Sequence, residues 1–431
     1  MVRLLWWIIL ILVTGSACSP KNPSRLLSQS DAPCFLKITD LRVAVLRGTP
    51  MTTPIIRIDT DQGVSGYGEV RDAADPKVAT MLTPQLLGQN PCDVDAVYRS
   101  IVPFAGHGRD GGGVSAVEMA LWDIIGKVKG VPVYKLLGDK FRDRVRLYAD
   151  TPEDHSAQRY HPDGTPNGLV VGQRLKERLE LGYTFLKFDV GVGLLDRVPE
   201  TIMVRPDESP GELTADLTDK GVAVLADYVA EVRSVIGMHV PLAADHFGPI
   251  TVASAIRLGN ALEPFNLAWM EDVLPWRLTD ANKIVSDSIK TPLLTGEDIF
   301  GLDGFQSLMI ERAVDMIQPD IATAGGIRET KRIGDAAETY GVPMVLHYAG
   351  SPIGFAASLH VAAATNNFLV LENHSIDIAW WQDLVSLTGS RHPLIQGGFA
   401  LVPDGPGLGV EPVEDVFRQH LDGGGYFEAT E

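Results

Sequence analysis

The stretch VPLAADHFG (residues 240–248) has the pattern of a short apolar strand that ends on an acidic side chain, Asp245. An acidic side chain at the end of a buried strand needs a charged or hydrogen-bonding partner, or it faces a cavity. Two later stretches repeat the pattern, and each ends on a glutamate 26 residues after the preceding acid: LAWME (residues 267–271, Glu271) and PLLTGE (residues 292–297, Glu297). Three consecutive strands therefore each deliver a carboxylate.

Short apolar strands of this kind recur after residue 144, with helical segments between them. GVAVLADYVAEVRSVIG (residues 221–237), for example, places its apolar side chains at helical spacing. We predict eight strands, at residues 145–150, 184–189, 240–245, 267–271, 292–297, 314–318, 343–347 and 368–372. Eight alternating strands and helices predict an α/β fold, a TIM-type (β/α)8 barrel whose strands all end at one rim.

The residues before the barrel have a different pattern. ITDLRVAVLR (residues 38–47) and TPIIRIDTDQGVSGYGEV (residues 53–70) are rich in β-forming residues, and a long helical stretch follows them. We predict an α+β capping domain over residues 34–143 and the barrel over residues 144–390. The last segment, residues 391–431, is expected to return to the capping domain and complete it.

The chain starts like an export signal. Arg3 precedes a short apolar run, and small residues lead directly to Cys18. This resembles the lipobox of bacterial lipoproteins and predicts a signal peptide over residues 1–17, a lipidated Cys18 and a linker over residues 18–33. Ordinary signal cleavage after Ala17 is the alternative. Either route places the mature protein outside the cytoplasm, in the periplasm or cell envelope, with membrane contact only through the lipid anchor.

Composition excludes one class of partner. The 431 residues carry 37 basic and 55 acidic side chains, a formal net charge of −18, and no basic stripe that would neutralise phosphates. We therefore expect no nucleic acid partner. In an oxidising compartment Cys34 and Cys92 could form one disulfide, which the sequence leaves open.

The three strand-end acids favour a metal site. Carboxylates that converge on one barrel rim repel one another, and a hard divalent cation such as Mg²⁺ relieves that repulsion while leaving positions for substrate oxygens. The alternative is that each acid caps the helix that follows it. The matched positions of Asp245, Glu271 and Glu297 favour one bound Mg²⁺.

Other polar residues stand at or near further strand ends: Lys187, Asp189, Asp320, His347 and Glu372. Together with SAVEMALWDIIGKVKGVPVYKLLG (residues 115–138), this set resembles the enolase superfamily, in its mandelate racemase and muconate lactonizing enzyme branch, over almost the whole mature chain. The resemblance is to the acid-sugar dehydratase type.

The resemblance implies roles for particular residues. Asp245, Glu271 and Glu297 would be the Mg²⁺ ligands, and His347, paired with Asp320, would be the catalytic base. Glu372 would contact the substrate carboxylate or the developing enediolate. It also implies a small carboxylate substrate and allows a homo-oligomer.

The second barrel strand departs from the family pattern. Many relatives end it in Lys-x-Lys, whereas this chain has Lys187-Phe-Asp189. Lys187 would still act as an electrophile, but Asp189 replaces the base on the opposite face of the substrate. Racemisation needs proton transfer on both faces, so the change favours dehydration of an aldonate or aldarate to a 2-keto-3-deoxy acid. A racemase or epimerase and a non-catalytic sugar-acid-binding lipoprotein are the alternatives.

The group that protonates the leaving hydroxide stays open in the sequence. The candidates for acid or substrate contact are Asp189, His246, His374, His107 and Arg109. Strict strand alternation would turn His246 away from the cleft unless the strand ends at Asp245. His374 would share the face of Glu372 or pack against nearby tryptophans, and the glycine-rich loop that carries His107 and Arg109 would reach the site or form a surface turn.

Overall fold

The computed structural model describes residues 34–151, 156–203, 214–389 and 393–428. The predicted signal peptide, the linker and Cys18 lie outside these residues. Within the described ranges, the structure contains no helix with the length and apolar character needed to cross a membrane.

The first described elements form the capping domain. Its antiparallel sheet has the order β1 (Ile38–Leu46), β2 (Thr53–Thr60), β3 (Ser65–Glu69). The helices are α1 (Lys77–Thr80), α2 (Thr83–Leu86), α3 (Val94–Ile101), α4 (Gly112–Lys129) and α5 (Tyr134–Leu137). A Cβ on Gly66 or Gly68 would lie 2.2 or 1.9 Å from a carbonyl oxygen of α4. Only glycine in β3 therefore lets α4 pack so closely on the sheet.

The barrel contains all eight predicted strands. They are β4 (Arg144–Thr151), β5 (Leu186–Asp189), β6 (Leu242–Asp245), β7 (Met270–Glu271), β8 (Leu293–Thr295), β9 (Met316–Ile317), β10 (Met344–Leu346) and β11 (Phe368–Asn373). Neighbours pair in parallel, and β11 pairs with β4 to close the barrel. The outer helices are α6 (Gly168–Glu180), α7 (Asp219–Ile236), α8 (Val252–Leu262), α9 (Thr279–Ser288), α10 (Gly301–Ile310), α11 (Gly326–Tyr340) and α12 (Pro352–Ala364). The predicted (β/α)8 fold with its cap is confirmed.

The end of the chain connects barrel and cap. Its elements are β12 (Val385–Leu387), β13 (Ile395–Gln396), β14 (Phe399–Leu401), β15 (Val410–Pro412) and α13 (Glu414–Gln419). Strand β14 pairs antiparallel with β4 of the barrel. Beyond α13, Leu421 and Glu428 bridge to Leu46 and Val43 of β1. C-terminal residues thus extend the sheet of the cap.

A disulfide fixes the start of the cap. Cys34, at the beginning of the described chain, is bonded to Cys92, just before α3. The sequence left this pairing open.

Eight apolar side chains fill the barrel below the rim. They form one buried cluster, which consists of Tyr148, Phe185, Ala243, Trp269, Leu294, Met316, Val345 and Val370. Because side chains two residues apart on a strand share a face, the next inward position on seven of these strands carries a polar residue. Those seven residues are Asp150, Lys187, Asp245, Glu271, Gln318, His347 and Glu372. The polar rim therefore lies directly above an apolar floor.

Two buried glutamates of the cap hold it on the barrel. Glu118 of α4 accepts hydrogen bonds from the backbone N–H groups of Ile327 and Arg328 at the start of α11. Glu69 of β3 accepts from the N–H groups of Ser351 and Gly354 at the start of α12. Burial raises the pKa of each glutamate to about 8. Helices α11 and α12 follow β9 and β10, so the cap is fixed beside the strands that lead to Asp320 and His347.

Candidate active site

Three acids that resemble a metal triad lie at the rim beside basic groups. Asp245 Oδ2 lies 2.8 Å and Glu271 Oε1 3.2 Å from Lys187 Nζ. Glu297 Oε1 lies 3.1 Å from Arg71 Nη2. Burial and the charge of Asp245 raise the pKa of Glu271 well above its usual value. The rim thus concentrates more negative charge than these two cations offset.

The donor set fits a divalent cation. The buried carboxylates of the rim outnumber the buried cations Lys187 and Arg71; they include Asp150, Asp189, Asp245, Glu271, Asp320 and Glu372. Among the described residues, His347, Glu372 and His374 form the group of three whose potential ligand atoms lie within 4.8 Å of one another, and the three strand-end acids do not form such a group. Mg²⁺ prefers oxygen ligands over imidazole nitrogen, so the strand-end acids match it in ligand chemistry and the mixed group matches it in spacing.

The predicted base and its partner acid are in direct contact. His347 Nδ1 lies 2.7 Å from Asp320 Oδ2, and the backbone N–H of Ala322 donates to the other oxygen of Asp320 at 2.7 Å. His347 Nε2 faces Glu297 Oε2 at 3.1 Å. Burial alone would lower the pKa of His347, but Glu297 and its other carboxylate neighbours raise it above its ordinary value. Asp320 therefore orients the ring and leaves Nε2 facing the rim.

Arg71 is a site residue that the sequence did not reveal. Its side chain is 2 % exposed, and Nη1 lies 2.7 Å from Asp72 Oδ1 and 3.1 Å from Asp320 Oδ2. The same nitrogen lies 3.0 Å from His347 Nδ1. Arginine can only donate a hydrogen bond, and His347 Nδ1 is itself the donor to Asp320. Arg71 therefore donates to Asp320 Oδ2, the oxygen that His347 also contacts. The cap thus supplies a cation to the histidine–aspartate pair of the barrel.

Asp189, which stands where many relatives have the second lysine of the second barrel strand, lies in acidic surroundings. Asp189 is buried, and burial together with the charge of Asp150 raises its pKa to about 6. Lys187 Nζ contacts Glu372 Oε1 at 2.6 Å in addition to Asp245 and Glu271. Lys187 is therefore surrounded by carboxylates, and the position of the second lysine is acidic.

His246 lies at the mouth of the site. Strand β6 ends at Asp245, and His246 has a positive φ of 61° that breaks the strand alternation. Its side chain is 69 % exposed, and Nε2 lies 3.6 Å from Asp245 Oδ2. The residue lines a cavity of about 370 Å³ that also includes Trp276 and Asp298. A substrate in this cavity would lie above the ends of β6, β7 and β8.

His374 lies at the barrel closure rather than among the tryptophans. Its Nδ1 is 3.0 Å from Asp150 Oδ2, and its Nε2 is 3.4 Å from Glu372 Oε1. Trp381 instead packs on Phe355 and donates its indole N–H to Gly350. Asp150, like Arg71, was not singled out from the sequence.

The glycine-rich cap loop reaches the rim. The backbone N–H of Phe300 donates to His107 Nδ1, and the ring of His107 packs on Trp276 at 4.8 Å between centroids. Arg109 Nη1 contacts Asp72 Oδ2 at 2.8 Å, and Asp72 in turn contacts Arg71. The loop therefore borders the cavity and connects to the pair of His347 and Asp320 through alternating charges.

Comparison with known proteins finds two matching families and related enzymes. The pattern of the mandelate racemase / muconate lactonizing enzyme N-terminal domain matches residues 40–138, and that of the enolase C-terminal domain-like family matches residues 171–416. D-xylonate dehydratase of Haloferax volcanii is 34% identical over 391 residues, which cover 89% of each chain. D-galactonate dehydratase of Xanthomonas oryzae pv. oryzae is 29% identical over 378 residues, which cover 84% of this chain and 90% of that one.

A solved structure shows the same fold. The mandelate racemase/muconate lactonizing enzyme-like protein of Rubrobacter xylanophilus aligns with a TM-score of 0.79 and 34% identity. The alignment covers 91% of this chain and 99% of that protein.

Proposed function

Since the chain belongs to the mandelate racemase and muconate lactonizing enzyme branch of the enolase superfamily, we propose that it is a Mg²⁺-dependent acid-sugar dehydratase. It would remove the proton next to the carboxylate of an aldonate or aldarate and release water to give a 2-keto-3-deoxy acid. The names of its dehydratase relatives support this reaction class.

The contact of His347 with Asp320 carries the proposal. Because Asp320 occupies Nδ1 at 2.7 Å, Nε2 is the nitrogen that accepts the α-proton. Asp320 then stabilises the imidazolium that forms. Arg71 anchors Asp320 from the side of the cap, so this acid keeps its orientation while the charge on His347 changes.

Proton removal develops negative charge on the substrate carboxylate, which becomes an enediolate. We expect the ammonium of Lys187, which contacts Glu372 at 2.6 Å, to donate a hydrogen bond to this group. A divalent cation held by Asp245, Glu271 and Glu297 would supply Lewis-acid stabilisation of the same charge when bound. Asp189 in place of a second lysine leaves the opposite face without that base, which favours dehydration over racemisation.

We also propose that the mature protein is exported and anchored through lipid on Cys18. The basic residue, apolar run and small residues before Cys18 support export. The disulfide between Cys34 and Cys92 agrees with an oxidising compartment, where such bonds persist.

Activity on a panel of sugar acids tests the function. Purified protein is incubated with D-xylonate, D-galactonate and several aldarates, and 2-keto acid is measured with and without added Mg²⁺ after EDTA treatment. We expect product from at least one acid, and only with the metal. No 2-keto acid from any compound, or full activity without metal, would contradict the proposal.

A further inference from the structure

A second histidine–carboxylate pair lies at the closure of the barrel. His374 Nδ1 contacts Asp150 Oδ2 at 3.0 Å, as His347 Nδ1 contacts Asp320 Oδ2 at 2.7 Å. In the β11–β4 register Asn373 lies opposite Ala149, so the next residues along, His374 and Asp150, are adjacent. The closure of the barrel therefore builds this pair.

The second imidazole faces the same space as the first. The rings of His374 and His347 are 6.3 Å apart between centroids, and Glu372 lies between them with contacts to both. His347 Nε2 lies 3.6 Å from Glu372 Oε2, and His374 Nε2 lies 3.4 Å from Glu372 Oε1. The two nitrogens that can exchange a proton with a substrate therefore border the same carboxylate of the rim.

The surroundings of His374 favour a proton donor. Two carboxylates contact it, Asp150 through Nδ1 and Glu372 through Nε2, while the ammonium of Lys187 contacts Glu372 at 2.6 Å and Asp150 at 3.9 Å. Burial alone would lower the pKa of His374, but Asp150 and Glu372 raise it well above its usual value. The ring is 20 % exposed, so it is shielded without being sealed from the site.

We propose that His374, oriented by Asp150, is the general acid that protonates the hydroxyl leaving from C3. The inference rests on the proposed dehydratase function. His347 takes the proton from C2, the electron pair forms the C2–C3 double bond, and the C3–O bond breaks as His374 Nε2–H gives its proton to form water. The enol product then tautomerises to the 2-keto acid, and His374 regains a proton from solvent as His347 loses one.

Substrates with two different leaving groups test this role. We compare a turned-over sugar acid with its 3-deoxy-3-fluoro analogue, from which fluoride leaves without needing a proton. His374→Asn should lower dehydration by about 100-fold or more, the usual range for a lost general acid. It should retain C2 proton exchange with D₂O and eliminate fluoride at a rate near that of wild type. Asp150→Asn should show the same split with a smaller loss.

Control variants separate this role from a structural one. His239→Asn changes an exposed histidine just before β6 and should leave all three rates unchanged. Loss of exchange and of fluoride elimination in His374→Asn would overturn the proposal, as would the leaving-group split appearing in His246→Asn instead. If wild type turns over no sugar acid, the dehydratase function itself fails and this inference falls with it. If wild type dehydrates a sugar acid but His374→Asn does not separate dehydration from fluoride elimination, only the inference about His374 is overturned.

Discussion

Replacement of Arg71 by methionine should weaken the structure where the cap meets the barrel. The guanidinium contacts Asp72 at 2.7 Å and Asp320 and Glu297 at 3.1 Å each, and its side chain is 2 % exposed. Removing one partner of a buried ion pair costs about 3–5 kcal/mol because it leaves the other charges unpaired. Methionine has a similar length, so little of this cost would come from a cavity. We expect a loss of that size in the free energy of unfolding.

Urea unfolding followed by tryptophan fluorescence measures this loss in metal-free protein. The double variant Arg71→Met with Asp72→Asn removes one of the carboxylates that Arg71 contacts and should recover about 0.5–3 kcal/mol relative to the sum of the single changes. Arg99→Met changes an exposed arginine of α3 and should cost no more than about 0.5 kcal/mol. If Arg71→Met costs less than about 1 kcal/mol, or no more than Arg99→Met, the buried ion network does not hold the cap as described.

Three further predictions concern the metal, a buried acid and export. Glu271→Gln should abolish turnover and weaken Mg²⁺ binding in calorimetric titration, with an unchanged circular dichroism spectrum; wild-type Mg²⁺ affinity in the variant would exclude Glu271 as a ligand. Because burial raises the pKa of Glu69 to about 8 from 4.5, the stability that its proton contributes is complete below pH 4.5 and is lost as the pH rises through 8. Wild type should therefore lose about 1.4 kcal/mol per pH unit relative to Glu69→Gln between these values, measured by urea unfolding, and a pH-independent difference would contradict this. Cys18→Ser should move the mature protein from the membrane fraction to the soluble fraction, because its acyl chains are then missing, whereas a wild-type protein that keeps Met1 in mass spectrometry refutes processing.

The sequence predicted the barrel and its acidic rim because both follow from local pattern. Asp245, Glu271 and Glu297 each follow a short apolar strand, and parallel strands of a barrel end at one rim. Side-chain alternation placed the rim residues correctly as long as the strand stayed regular. At His246 alternation no longer applies, because β6 ends at Asp245 and a positive φ of 61° turns the chain.

Only the folded structure identifies Arg71 and Asp150 as residues of the site. Arg71 stands 249 residues before Asp320, two residues after the end of β3, and the sequence pattern there carries no information about the barrel rim. Asp150 is the last residue but one of the first barrel strand, and it meets His374 only because the last strand pairs with the first. A single sequence contains no signal for contacts of this range.

Deuterium transfer catalysed by wild type and by His347→Asn tests the central claim most directly. With a turned-over sugar acid in D₂O and Mg²⁺, we expect wild type to form 2-keto-3-deoxy acid that carries deuterium at C3, while recovered substrate keeps its configuration at C2. His347→Asn should form no product and exchange no C2 proton, because the amide keeps a similar size but cannot accept a proton near neutral pH. Recovered substrate inverted at C2, or C2 exchange that persists in His347→Asn, would show that a second base operates and that the enzyme is an epimerase.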